Sequence, residues 1–359
     1  MFSQVMRTPT HANRSIKSKE VTLPLYSLFA ILGGALPEKL IPALAGRTVR
    51  CILFDLGDTL WSRKDMAVWE RVENAANVRA VAILRKCVTS PSLSNVNEVT
   101  LGKRLRESVD ERLRNLIRQE PGLEPHGGLA IVQVLQQWGI EGVDTGSGEA
   151  IFEALRVRIP ESRPLFDDVL PTLGALRQRG FQLGVVSNRH WGGKLFQEDL
   201  ETLGLLDYFD PRHMAISVDL GVRKPDPAIF LHALNALNVP PEHAVMVGDS
   251  LLSDIVGGKM LDIFTVWKPK PSVRIQAQLI ASGAASRGHQ ALTPAESASG
   301  NLPDDLPPGM HITDDDYVLA HIQSRAGKWD QHLHGQIKPD LIIENLSDLL
   351  DVFIEVGEQ

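Results

Sequence analysis

Two hydrophobic patterns succeed one another in the first half of the chain, one typical of a buried strand and one typical of amphipathic helices. The strand pattern is the apolar run Cys51-Ile-Leu-Phe, which ends at an acid and a Gly-Asp-Thr turn. Apolar residues then recur at helical spacing from Met66 to about Val88, without Gly or Pro. Helical patterns continue for roughly a hundred residues. The sequence therefore predicts one strand followed by a long all-helical segment.

Helix and strand patterns then alternate with short connections. In chain order they predict helix 170–179, strand 182–187, helix 194–203, strand 214–218, helix 227–237, strand 244–247, helix 253–260 and strand 264–267. Such alternation is typical of a parallel sheet with right-handed crossovers. We therefore predict a doubly wound, parallel α/β core of Rossmannoid type, with the all-helical segment inserted after its first strand.

These patterns divide the chain into parts. Residues 49–60 and 164–268 are expected to form the α/β core, with 61–163 as the helical insertion. From 269 to 338 the pattern dissolves into Ala, Ser, Gly and Pro, which favours a flexible insertion. Residues 339–359 are expected to rejoin the core through a short strand and a closing helix at 346–356.

Composition excludes several classes of protein. With 43% hydrophobic and 23% charged residues among 359, the chain is globular rather than disordered or fibrous. A formal net charge of −7 argues against nucleic acid as a partner. The two cysteines, Cys51 and Cys87, cannot form a disulfide framework and fit a reducing compartment.

The first 48 residues are expected to form a flexible leader. Their most apolar window, residues 23–37, contains two prolines and is shorter than the roughly 20 residues needed to span a bilayer. Residues 1–19 carry four basic residues and no acid, which is also typical of organellar presequences and signal peptides. We expect no membrane span and favour the cytoplasm, with an organellar or secretory leader left open.

Polar residues stand where the predicted parallel strands end, which is where open α/β sheets bind ligands. Asp55 follows the first strand directly. A carboxylate at this point can ligate a hard cation and can attack a phosphoryl group as a nucleophile. Taken alone, however, an Asp here can equally be a turn residue.

Three further segments have matching chemistry. Ser187 and Asn188 end the second strand and can hold phosphate oxygens, and Lys224 lies in a proline-stiffened Arg-Lys-Pro-Asp-Pro run where it can offset phosphate charge. Asp249 and Asp254 follow a buried strand within Gly-Asp-Ser-Leu-Leu-Ser-Asp and can bind Mg²⁺ directly or through water. Each segment alone is ordinary turn or cap chemistry, but their combination and order indicate a catalytic site.

Together the four segments resemble the motifs of the haloacid dehalogenase-like (HAD) hydrolase superfamily, and the helical insertion lies where that family carries its C1-type cap. The resemblance implies that Asp55 is the nucleophile and that Ser187 and Lys224 hold the transferred group. The Mg²⁺ ligands that it implies are Asp55, the Gly57 carbonyl, Asp249 and Asp254. It also implies a phosphatase of small phosphorylated metabolites that works through an aspartyl-phosphate.

One position departs from the family pattern. Its phosphatases usually carry a second Asp two positions after the nucleophile, as general acid and base, whereas this chain has Gly57 there and Asp58 one place later. General acid–base catalysis contributes about 10²–10⁴ in rate. Because the turn is tight, we expect Asp58 to be a poor substitute.

This departure leaves three interpretations open. The first interpretation is a phosphatase that acts on substrates with good leaving groups, or one in which the cap or water supplies the proton. The second interpretation is a dehalogenase-like hydrolase or a phosphonate-cleaving one. A phosphonate-cleaving enzyme would need a cap lysine, for which Lys64, Lys86 and Lys103 are the candidates. The third interpretation is a protein of this fold that binds its ligand with little turnover. Dehalogenases of the family generally lack the Gly-Asp-Ser cation site, which favours the Mg²⁺-dependent phosphatase.

Overall fold

The computed structural model describes residues 44, 46–62, 66–88, 93, 95–281, 312–315, 317 and 338–354. These residues belong to a unit that spans Ala43–Gln359. The predicted leader therefore lies outside the described residues, apart from 44 and 46–48. None of the helices in the described part of the chain combines the length and apolarity that crossing a membrane requires.

Six parallel strands form one sheet in the order β3-β2-β1-β4-β5-β6. The strands are β1 (Cys51–Phe54), β2 (Gln182–Ser187), β3 (Met214–Ile216), β4 (Ala244–Gly248), β5 (Phe264–Trp267) and β6 (Leu341–Ile342). In the middle of the sheet, Cys51 of β1 pairs with Gln182 on one side and with Ala244 on the other. The predicted parallel α/β fold is confirmed.

Helices connect the strands and fill the long segment between β1 and β2. They are α1 (Met66–Cys87), α2 (Glu98–Gln119), α3 (Gly127–Gln137), α4 (Thr145–Ala154), α5 (Ile159–Ser162), α6 (Val169–Gln178), α7 (Gly193–Thr202), α8 (Ser217–Leu220), α9 (Pro227–Leu237), α10 (Val256–Lys259), α11 (Pro271–Ala281) and α12 (Leu349–Val352). A π-helical turn, Leu251–Ile255, leads into α10, and 3₁₀ turns occur at Leu205–Asp207, Pro211–His213, Pro241–His243 and Leu346–Asp348.

The central strand β1 is buried on both faces because all four of its side chains are apolar. Cys51 and Leu53 pack in one cluster with residues of α9, among them Phe230. On the opposite face Phe54 meets Phe209 edge to face, with 5.9 Å between the ring centroids. Such burial is typical of parallel strands covered by helices, and it fixes the carboxyl end of β1 at the middle of the sheet edge.

Helices α1–α5 make up the helical insert, residues 66–162. The insert has a hydrophobic core of its own, in which Ala80, Leu105, Ile131 and Ile151 contribute one fully buried side chain from each of α1–α4. This explains why the sequence pattern is purely helical there: each helix needs only one apolar face, turned toward its neighbours.

The prediction of a flexible insertion is wrong for residues 271–281, which form α11. The helix buries Val273 and Ala277 in a cluster with Trp267 of β5, and Tyr317 packs on the same Trp267 with 6.4 Å between ring centroids. Its apolar face is narrow and its partners lie before and after it in the chain, so local periodicity did not reveal it. Residues 282–311, 316 and 318–337 of the predicted insertion lie outside the described residues.

The chain returns to the sheet at β6, but the closing helix is shorter than predicted. Instead of a helix over 346–356, the structure has the 3₁₀ turn Leu346–Asp348 followed by the four-residue α12. Phe353 leaves the helical conformation and packs against Phe181 and Phe264, with ring centroids 6.0 and 6.4 Å away. The helix thus ends where this ring is buried.

Candidate active site

Asp55 lies at the carboxyl end of β1, where its backbone N–H donates to the Val247 carbonyl at 2.9 Å and extends the strand pairing by one residue. The chain then turns sharply. Asp58 adopts a left-handed conformation with φ of 57°, and its N–H donates to the Trp61 carbonyl at 2.8 Å. The turn thus fixes the Asp55 carboxylate against the sheet edge, where it is buried.

Lys224 is the centre of the site. Its Nζ lies 2.6 Å from Asp55 Oδ1, 2.6 Å from Asp254 Oδ1 and 2.6 Å from the Val186 carbonyl oxygen, and the residue is 3% exposed. Burial alone would lower the pKa of Lys224, but the two carboxylates together raise it above its ordinary value. The ammonium therefore stays charged and binds both acids.

Ser187 and Asn188 complete this arrangement from the end of β2. Ser187 Oγ donates to Asp55 Oδ1 at 3.1 Å, the same oxygen that Lys224 contacts. The Asn188 amide donates to the Lys224 carbonyl at 3.0 Å and accepts from the Lys224 N–H at 2.8 Å. Asn188 thus positions Lys224, a role that the sequence did not predict, and its contact with phosphate oxygens stays a prediction.

The acids of the β4 loop face Asp55. Asp55, Asp249 and Asp254 each offer a carboxylate oxygen, and these oxygens lie within 4.8 Å of one another. Gly248 is required beside them, because a Cβ there would lie 2.2 Å from Asp254 Cγ. Burial raises the pKa of Asp249 and of Asp254, and the Asp55 charge adds to both shifts. A buried, all-oxygen cluster of this kind can hold a hard divalent cation.

Lys270 is a site residue that the sequence did not single out. Its Nζ lies 2.7 Å from Asp58 Oδ2 and 3.0 Å from Asp249 Oδ2, so it joins the turn after β1 to the carboxylate cluster of Asp55, Asp249 and Asp254. It belongs to a Lys-Pro-Lys-Pro run directly after β5. A lysine in a proline-stiffened run just before a helix was the signal that identified Lys224, and the same signal could have identified Lys270.

Gly57 leaves open space where the usual second acid would begin. A Cβ built on Gly57 meets no atom within 4 Å, and its φ lies outside the left-handed region. The neighbouring carboxylate of Asp58 is instead bound by Lys270. Ligation of a cation by the Gly57 carbonyl stays a prediction.

Of the cap lysines that a phosphonate-cleaving enzyme would need, Lys86 and Lys103 are exposed on α1 and α2. A lysine that forms a Schiff base is activated by desolvation or by a cationic neighbour, and exposure provides no desolvation. Lys64 lies outside the described residues.

Removing the Lys224 charge should destabilise the fold. In a chelating buffer we expect Lys224→Met to lower the free energy of unfolding by about 3–5 kcal/mol, because two buried carboxylates lose their cation. The double variant Lys224→Met/Asp254→Asn should recover part of this loss, since one buried charge is gone. Urea denaturation measures both; an unchanged midpoint in Lys224→Met would contradict the pairing.

Lys268 supplies a pH-dependent prediction. It is 4% exposed, its Nζ lies 3.9 Å from the centroid of the Phe166 ring, and burial together with Arg274 lowers its pKa from 10.5 to about 8. A charged lysine with a lowered pKa destabilises the fold fully below pH 8, and the penalty vanishes as the pH rises toward 10.5. The full penalty, from the difference between the two pKa values, is about 3 kcal/mol.

We therefore expect Lys268→Met to have a higher free energy of unfolding than the wild type at pH 7. The gain is the relieved charge penalty minus the lost cation–π contribution of about 0.5–2 kcal/mol. This advantage should shrink between pH 8 and 10, as measured by urea denaturation at each pH. Lys194→Met is the control, because the Lys194 side chain is 90% exposed. An advantage that is independent of pH would show that the Lys268 charge is not penalised.

With this geometry established, comparison with known proteins identifies the family. Residues 49–262 match the family model described as haloacid dehalogenase-like hydrolase. The glyceraldehyde 3-phosphate phosphatase of Methanopyrus kandleri is 30% identical over 228 residues, which are 61% of this chain and 83% of that protein.

Two further relatives match over shorter stretches. The glyceraldehyde 3-phosphate phosphatase of Pyrococcus furiosus is 44% identical over 27% of this chain and 38% of its own length. The phosphoserine phosphatase of Thermus thermophilus is 36% identical over 29% of this chain and 40% of its own length. The family-model match and the long alignment to the Methanopyrus protein show that this chain belongs to the haloacid dehalogenase-like hydrolases.

Proposed function

We propose that the protein is a Mg²⁺-dependent phosphatase of small phosphorylated metabolites, with Asp55 as the covalent nucleophile. The observation that supports this most is the convergence of Lys224 and Ser187 on one carboxylate oxygen of Asp55, beside the acids Asp249 and Asp254. A cationic donor and a hydroxyl at the nucleophile are what a phosphoryl group with several anionic oxygens needs. The phosphatase relatives support the same substrate class.

In the proposed reaction the Asp55 carboxylate attacks phosphorus and the bond to the ester oxygen breaks, so that this oxygen leaves with the electron pair of the bond and takes a proton from water. Lys224 and Ser187, 2.6 and 3.1 Å from Asp55 Oδ1, are placed to donate to the phosphoryl oxygens as charge moves onto them. Water then attacks the phosphorus of the aspartyl-phosphate, which releases phosphate and restores the carboxylate. Asn188 acts indirectly, because it holds the Lys224 backbone.

The donor set fits Mg²⁺, which prefers carboxylate and carbonyl oxygens. Asp55, Asp249 and Asp254 would hold the ion, with the Gly57 carbonyl as the further ligand that the family resemblance implies. When bound, Mg²⁺ would neutralise charge on the transferred phosphoryl group. Lys270 contributes from the outer side by binding Asp249 and Asp58.

We further propose that the helical insert serves as the cap over this site. A connection of the insert lies against the core loop that carries Lys224: the Arg223 N–H donates to the Gly122 carbonyl at 3.0 Å. Such a cover would exclude water and choose the substrate. The proposed compartment is the cytoplasm, where the free thiols of Cys51 and Cys87 would stay reduced.

The nucleophile is tested by Asp55→Asn with p-nitrophenyl phosphate and acetyl phosphate, each with Mg²⁺ and with EDTA. We expect EDTA to abolish turnover and the variant to lose about three orders of magnitude or more in kcat. Asp262→Asn is the matched control, because Asp262 is an exposed Asp whose φ of 56° Asn accepts readily.

Turnover in EDTA, or an active Asp55→Asn enzyme, would sink this proposal. Halide release from 2-chloropropionate would favour the dehalogenase-like alternative instead. Failure of BeF₃⁻ and Mg²⁺ to form an adduct on Asp55 would favour a protein that only binds its ligand.

The missing acid is tested by Gly57→Asp, which has room for its side chain. We expect kcat on alkyl phosphates to rise about tenfold or more, and kcat on acetyl phosphate to change little, because only the alkoxide needs a proton. Gly57→Asn is the control of equal size without an acid. Equal gains on both substrates, or in both variants, would rule out an effect on leaving-group protonation.

A further inference from the structure

Glu124 is a buried carboxylate in the connection between α2 and α3 of the helical insert. Its side chain is 2% exposed. Glu124 Oε1 lies 2.6 Å from His190 Nδ1, and Oε2 accepts a hydrogen bond of 2.8 Å from the Arg223 guanidinium. A buried carboxylate is costly unless it is paired, so this pair of contacts fixes where the connection can lie.

Both partners belong to the loops of the active site. His190 follows Ser187 by three residues in the loop after β2, and Arg223 directly precedes Lys224. One carboxylate of the insert therefore binds two core loops at once, one carrying the hydroxyl and the other the ammonium that donate to Asp55.

Backbone contacts hold the same junction. The Glu124 N–H donates to the Gly221 carbonyl and the Arg223 N–H donates to the Gly122 carbonyl, each at 3.0 Å. Leu123 and Val222 thereby form a short antiparallel bridge. The connection of the insert is thus paired with the segment that leads into Lys224.

The two core loops also bind each other, through the Asn188 amide and the Lys224 backbone. An unbroken path of hydrogen bonds and peptide bonds consequently runs from Glu124 through Arg223 and Lys224 to Asp55. A second path runs from Glu124 through His190 to Asn188, and so to the same lysine.

We propose that Glu124 is a positioning residue for the phosphoryl-transfer reaction. It holds the loops of Ser187 and Lys224 at the spacing at which both donate to the nucleophile, so that catalysis depends on the insert being seated against the core. This inference rests on the proposed phosphatase function. Misplacing a catalytic group by about 1 Å can cost about 100-fold in rate, so a modest shift of either loop suffices.

The test uses the full chain with p-nitrophenyl phosphate and Mg²⁺. Glu124→Gln keeps the size of the side chain but loses its charge, and we expect kcat to fall about 10- to 100-fold while KM changes less than threefold. Glu149→Gln is the matched control: Glu149 also pairs with a histidine on the insert, His126 at 3.2 Å, but its side chain is 58% exposed. Its kcat should equal that of the wild type.

Three additional variants separate positioning from mere stability. Arg223→Met should lower kcat to a similar extent, and the double variant Glu124→Gln/Arg223→Met should be no worse than either single one, because both act through one contact. His190→Gln leaves the Glu124–Arg223 pair in place and should lose less. All rates are measured where thermal denaturation shows each variant to be folded.

A folded Glu124→Gln enzyme with the kcat of the wild type would overturn this inference and leave the proposed function intact. Independent, additive losses in the double variant would also overturn it. A wild-type protein that hydrolyses no phosphate ester or acyl phosphate would overturn the proposed function and this inference together.

Discussion

The ion triad of Lys224 with Asp55 and Asp254 is the interaction on which the site depends. Burying any one of these charged groups without a partner would cost several kcal/mol of desolvation free energy. The 2.6 Å contacts of Lys224 with the two carboxylates offset that cost when all three are buried together. A parallel sheet is suited to hold them because the carboxyl ends of β1, β2 and β4 lie side by side at one edge. The fold thus brings together charges that are distant in the sequence.

The residues that are joined by direct ion pairs at this edge carry more negative than positive charge. The carboxylates of Asp55, Asp58, Asp249 and Asp254 surround the ammonium groups of Lys224 and Lys270, which leaves an excess of two negative charges when all are ionised. One divalent cation has the complementary charge. Burial is the main cause of the raised pKa values of Asp249 and Asp254, and the negative charge of Asp55 adds to both shifts.

The sequence predicted those parts of the fold and site that local pattern encodes. The limits of β2, β5 and α9 agree with those predicted from the sequence pattern. Asp55 was found because it directly follows β1, whereas Lys224 was found by its proline-stiffened run, which lies beyond β3 and the short helix α8. Lys270 was missed because it lay in a segment whose composition indicated flexibility. Glu124 was missed because its partners, His190 and Arg223, lie 66 and 99 positions later in the chain. Local hydrophobic periodicity gives no information on contacts between such distant positions.

The two margins of the sheet are short: β3 has three residues and β6 has two. An outer strand of ordinary length would present a row of unpaired N–H and C=O groups, on which another polypeptide could add as a new strand. Among the described residues, few such groups exist at either margin, while the longer strands β1, β2 and β4 are enclosed between neighbours. The polar side chains of the candidate site therefore lie at the ends of the strands, while the short edge strands leave little backbone on which another chain could pair and aggregate.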